Sequence, residues 1–136
     1  MVTVEWRGKP VYVVRRTPEA MKTLEEVAAR LRDPSSEKSA QPAYAKNTGR
    51  SIKEEFLVLL GVCTHLGCAP EYKPEVGAED VGDSNWLGGF FCKCHGSKFD
   101  LAGRVFQGVP APLNLEIPPY MFVSDDVLLI GEDQEA

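Results

Sequence analysis

The chain has 136 residues, 43% of them hydrophobic, and a formal net charge of −5, which fits one compact domain with a buried core and leaves no room for a second. An acidic balance of this size excludes nucleic acid and anionic membrane surfaces as partners, because either selects a basic stripe. No run approaches the roughly 20 apolar residues of a membrane span, and Arg15-Arg16 is followed by a largely polar stretch where an export signal needs an apolar one.

Residues 2–6 and 11–15 alternate or run apolar around Arg7-Gly8-Lys9-Pro10, whose turn chemistry predicts a hairpin. Thr17 is placed as the N-cap of a helix, with Pro18 at its first position and Glu19 in its first turn. Met21, Leu24, Ala28 and Leu31 fall at helical spacing, and the helix should end near Asp33-Pro34. Their stripe is read as packing, not as a binding face. Residues 35–50 are rich in Ser, Pro, Lys and Asn without periodicity and are read as a surface loop.

Residues 56–62 are expected to form a buried strand, and residues 69–85 an excursion whose acids make a solvated face. Residues 86–91 and 98–100 are read as strands, 100–103 as a turn before 104–106, and 113–117 and 127–130 as the closing strands. Many short strands with one peripheral helix define an all-β class of stacked antiparallel sheets.

Every cysteine and both histidines lie in two loops, Cys63-Thr64-His65-Leu66-Gly67-Cys68 and Cys92-Lys93-Cys94-His95-Gly96-Ser97. A C-x-H and a C-x-x-H loop, each with one further cysteine, supply a two-iron cluster if two thiolates hold one iron and two imidazoles the other. Two ferric ions and two sulfides carry a formal charge near plus two, which two thiolates cancel and four would overshoot. Fewer anionic ligands ease reduction, so such clusters have potentials of roughly −150 to +300 mV against about −400 mV for all-cysteine ligation. Structural zinc uses the same residue types, yet zinc loops rarely begin with C-x-H and two cysteines would have no task. Two plain disulfides are awkward for Cys92 and Cys94, which are separated by a single residue.

These loops resemble the two signature boxes of the Rieske iron–sulfur proteins of cytochrome bc complexes, the respiratory quinol:cytochrome c oxidoreductases. Gly108-Val109-Pro110-Ala111-Pro112 is similar to that family's proline loop, with Val109 inserted in the usual G-P-A-P, and Lys93 stands where C-P-C-H has proline. The resemblance implies a Rieske-type fold over residues 1–136, in which residues 62–108 form a cluster-binding subdomain on a base of residues 1–61 and 109–136. It implies a [2Fe-2S] cofactor with Cys63 and Cys92 on the inner iron, His65 and His95 on the outer iron, and a disulfide between Cys68 and Cys94. Ser97 is implied as a hydrogen-bond donor to a bridging sulfide, while Phe99 replaces a tyrosine found in many respiratory members. Leu66, Gly67, Gly96 and Pro110 are implied as an apolar docking collar.

The same resemblance makes His95 and His65 the catalytic residues, taking a proton from quinol while the cluster takes the electron and passes it to a c-type cytochrome, with cytochrome b as the other partner. The disulfide implies an oxidising compartment, the periplasmic side of a bacterial inner membrane. The family's amino-terminal anchor, absent here, implies that Met1 marks a trimmed start, with a naturally anchor-free protein as the alternative. The Rieske subunit of arsenite oxidase and soluble Rieske ferredoxins carry related loops. Cys68 and Cys94 disfavour the ferredoxins, and Gly96 with the proline loop favours the quinol enzyme.

Overall fold

Arg7 and Gly8, at φ 53° and 76°, turn the chain between strand β1 (Val2–Trp6) and strand β2 (Lys9–Arg15) in a computed structural model that describes residues 1–132. A two-residue turn with both φ positive matches the twist of the strands it joins. Trp6 therefore pairs with Lys9 and Val2 with Val13, and Lys9 and Pro10, predicted in the turn, belong to β2. On its other side β2 pairs with β3 (Phe56–Leu60), in the order β1-β2-β3. Leu57 to Leu60 are each at most 2% exposed, as a continuous apolar run requires of a strand covered on both faces.

The second sheet has the order β4 (Glu71–Lys73), β5 (Gly89–Cys92), β6 (Ser97–Phe99), and the third pairs β7 (Tyr120–Phe122) with β8 (Leu128–Ile130). All pairings are antiparallel, so the all-β class holds. Val11, Leu57, Phe90, Phe99, Leu115 and Tyr120 are fully buried in one cluster that spans the sheets.

The helix starts as read and stops sooner. Thr17 Oγ1 accepts the Ala20 amide at 3.1 Å and caps α1 (Pro18–Glu26). Past Val27 the chain tightens into a 3-10 turn, Ala28–Arg30. Leu31 is extended and bridges Phe106, and the Arg32 amide donates to the Val105 carbonyl at 2.9 Å, so pairing with residues 105–106 ends the helix before Asp33. Leu24, Val27 and Leu31 are buried, and the stripe packs as expected.

Residues 35–50 form a loop along the surface, as read, with half of the segment exposed, but the loop is pinned at several points. Ser36, Ala45 and Arg50 are buried, and the Asp33 carboxylate accepts the amides of Glu37 and Lys38 at 2.9 and 3.0 Å. Residues 113–117 form no strand, because their backbone bonds go to three different segments: Leu115 to Gly103, Ile117 to Ala40, and Leu60 to the Glu116 carbonyl. Residues 104–106 make two isolated bridges. Trp86 precedes β5 as a buried side chain whose Nε1 donates to the Lys73 carbonyl at 3.1 Å. The acids of residues 69–85 are not all solvated, since Asp83 pairs with Arg30 at 2.7 Å and Lys98 at 3.3 Å.

Three buried arginines, Arg16, Arg50 and Arg104, surround the buried Asp100. Arg104 Nε lies 2.7 Å from Asp100, and the Asp100 carboxylate also accepts the amides of Ala102 and Arg104 across the expected turn. Burial pulls the Arg16 and Arg50 guanidinium groups down to about 10, with Asp100 opposing. Arg16 binds the Glu54, Gly49 and Leu101 carbonyls at 2.8, 2.8 and 3.0 Å and thereby joins β2 to two distant loops.

Candidate metal centre

Each cysteine–histidine loop is launched from a strand: β3 runs through Gly61 and Val62 into Cys63, and β5 ends on Cys92. Both loops close with the same bond, from the Gly67 amide to the Cys63 carbonyl and from the Gly96 amide to the Cys92 carbonyl, each 2.9 Å. Gly67 and Gly96 sit at φ 85° and 82°, a conformation glycine adopts without steric cost. A disulfide joins Cys68 to Cys94 and holds the loops together.

The remaining donors converge. His65 and His95 lie with ring centroids 4.8 Å apart and planes at 85°. His95 is exposed, whereas His65 is half-buried with its Nδ1 sealed from solvent and bonded to nothing. Among the described residues, Arg50 Nε and His65 Nδ1 are the buried side-chain polar atoms without a partner. A buried nitrogen left unpaired costs about 1–3 kcal/mol, and a ligand nitrogen awaiting a metal explains it.

Cys63 and Cys92 are free thiols, 3% and 1% exposed. Burial pushes the Cys92 thiol up, the neighbouring Cys63 adds to this, and the Cys94 and His95 amides pull it down. The sulfurs of Cys68, Cys92 and Cys94 lie within 4.8 Å of one another, but the disulfide consumes two of them. The free donor set is therefore two thiols and two imidazoles, and it fits a two-iron cluster with mixed ligation.

The proline loop and Leu113 just after it are bonded to the two loops. The Ala111 amide donates to Ser97 Oγ at 3.0 Å, and Thr64 Oγ1 donates to the Leu113 carbonyl at 2.6 Å. Leu66, Gly67 and Pro110 are exposed, Leu66 by 68%, while Gly96 is half-buried. Phe99 is wholly buried beneath the second loop. Two positioning contacts were not read from the sequence. Thr64 is a motif position with no metal-ligating atom, and Tyr12, whose hydroxyl donates to the Pro70 carbonyl at 2.8 Å behind the first loop, lies in a strand 51 positions before Cys63.

A disulfide-tied pair of loops, each offering one buried thiol and one imidazole on an all-β scaffold, defines an iron–sulfur cluster domain. Residues 1–119 match the Rieske [2Fe-2S] domain family. The chain is 56% identical over 98% of its length to the ubiquinol-cytochrome c reductase iron-sulfur subunit of Allochromatium vinosum. It is 41% and 44% identical, over 96% of its length, to the mitochondrial Rieske subunits of the cytochrome b-c1 complexes of Candida albicans and Neurospora crassa. It spans 64%, 52% and 48% of those three relatives. The chain belongs to the Rieske [2Fe-2S] domain family, and its cofactor is the [2Fe-2S] cluster. Among the described residues no helix is long and apolar enough to cross a membrane.

Proposed function

We propose that the chain is the cluster-bearing part of an electron-transfer subunit of a quinol:cytochrome c oxidoreductase, with Cys63 and Cys92 holding one iron and His65 and His95 the other. Residues 62–108 act as the cluster-binding subdomain on a base of residues 1–61 and 109–136. Bound there, the cluster supplies a one-electron acceptor made oxidising by its imidazole ligands. With His65 Nδ1 turned inward, Nε2 is the nitrogen left to face quinol, and the exposed His95 stands beside it. His95 accepts a hydrogen bond and then the proton of quinol at its outward nitrogen. Exposed Leu66 and Pro110 exclude water around that contact and dock against cytochrome b. The same tip, with His65 and His95 at its surface, would present the bound cluster to a c-type cytochrome as the electron's next acceptor.

The disulfide supports an oxidising compartment, which for a bacterial protein is the periplasmic side of the inner membrane. The named relatives favour this reading over an arsenite-oxidase subunit or a soluble ferredoxin. The orphaned Nδ1 of His65 beside the exposed His95 is the observation that carries it. Alanine at Cys63, His65, Cys92 or His95 deprives an iron of one donor and should abolish normal assembly. A full wild-type visible spectrum in any one of these variants removes that residue from the ligand set. Proton coupling is tested by voltammetry: the potential should fall as pH rises, because reduction strengthens the hold on the outward ring protons. A potential flat from neutral to strongly alkaline pH contradicts it.

A further inference from the structure

The proline loop cannot hold itself in place. Pro110 and Pro112 lack an N–H, so within residues 110–112 Ala111 alone can donate, and its amide goes to Ser97. The rest of the grip comes from the segment after α1, the 3-10 turn and the extended residues 31–32. The Gln107 amide donates to the Arg30 carbonyl at 2.8 Å, Gln107 Nε2 to the Leu31 carbonyl at 3.0 Å, and Arg32 Nη2 to the Val109 carbonyl at 2.7 Å. Arg30 is itself fixed by Asp83 at 2.7 Å and lies over the Phe106 ring at 4.9 Å. Val109, the inserted residue, packs against two separate apolar clusters.

We propose that Arg32 is a positioning residue for the metal centre: its guanidinium clamps Val109 and keeps the proline loop seated on Ser97, and Leu113 just after it on Thr64. The inference rests on the cluster assignment above and gives the segment after α1 a task beyond packing. A guanidinium reaches the carbonyl as a charge-assisted donor at the point where the inserted residue lengthens the loop. Without it, loosening of the loop exposes Ser97 Oγ to water and opens the cover beside the histidines.

The test compares wild type, Arg32→Ala and Arg32→Lys, with Gln107→Ala loosening the same grip from the loop side should Arg32→Ala fail to fold. Two readouts are taken on the cluster-loaded protein: hydrogen exchange at the Ala111 amide by mass spectrometry, and the cluster potential. Arg32→Ala should exchange at Ala111 roughly 2- to 12-fold faster, the range of one net hydrogen bond, and its potential should fall. Exchange in β7 and β8 should be unchanged, and Arg32→Lys should lie between the two. Unchanged exchange at Ala111, a rise shared equally by all sheets, or an unshifted potential overturns the clamp. Wild-type protein without a nitrogen-ligated two-iron signature overturns the cluster assignment instead, and the exchange comparison still decides the clamp.

Discussion

The Ala111 amide donates to Ser97 Oγ across 3.0 Å, tying the proline loop to the second cysteine–histidine loop. Ser97 is fully buried, and a hydroxyl that accepts one bond keeps its proton to donate. Donation to cluster sulfur stabilises the more negative, reduced form. Ser97→Ala should therefore lower the potential: one such bond is worth about 0.5–1.5 kcal/mol, or roughly 20–65 mV at about 59 mV per tenfold change. Voltammetry of both proteins at one pH checks this, and an unchanged potential removes Ser97 from the tuning of the cluster.

Phe99 has no hydroxyl to give, and the fold offers little compensation from Tyr12. That phenol lies within electrostatic reach of Cys92, but its proton is already donated to the Pro70 carbonyl at 2.8 Å. Phe99→Tyr should raise the potential by a similar amount, roughly 20–65 mV. A variant that folds, loads its cluster and shows no rise rejects the idea that a missing donor sets the potential.

The disulfide closes a chain segment with a sequence separation of 26. Loop entropy gives a bridge of that length about 3.5 kcal/mol. Cys68→Ser with Cys94→Ser should destabilise the protein by roughly 2–4 kcal/mol, weaken cluster retention and lower the potential as the loops part. Chemical unfolding and iron retention during dialysis report the two effects separately. A double variant equal to wild type in both would deny the bridge a structural role.

Arg16→Ala should cost about 2–5 kcal/mol, because it strands three carbonyls and the Ser51 hydroxyl that the guanidinium serves. Denaturant titration measures this directly. A loss under about 1 kcal/mol, the range of ordinary surface substitutions, would show that water replaces the guanidinium.

Stability should fall in acid through Asp33 and Asp83. Burial is the largest single effect and raises both carboxyls, but several bonds together outweigh it: the Lys38 and Glu37 amides and the Ser39 hydroxyl hold Asp33 below its ordinary value, and the Asn85 amide with Arg30 and Lys98 does so for Asp83. A carboxyl depressed in the folded state binds fewer protons there than in the unfolded chain. Its contribution is present above the ordinary value of about 4 and is lost as pH falls through the depressed one. Unfolding midpoints should drop between pH 5 and pH 3, and Asp33→Asn should shrink that drop. An equal drop in the variant would assign the acid sensitivity elsewhere.

Local chemistry made part of this molecule legible. Thr17-Pro18, Arg7-Gly8 and the two cysteine–histidine loops act over a few residues, and each formed close to where the sequence puts it. Bonds between distant residues did not show. Arg16 reaches Leu101 across 85 positions and Arg32 reaches Val109 across 77, and no periodicity encodes such a partner. Residues 113–117 look like a strand because apolar Leu113, Leu115 and Ile117 alternate with polar Asn114 and Glu116, yet their partners are three scattered segments and not a neighbouring strand.

The electron paramagnetic resonance spectrum of the reduced protein tests the central claim most directly. Two thiolates on one iron and two imidazoles on the other should give a signal with the low average g of a nitrogen-ligated two-iron cluster. A reduced protein that is silent with full zinc occupancy, or one with the spectrum of an all-cysteine cluster, would contradict the assignment of Cys63, His65, Cys92 and His95.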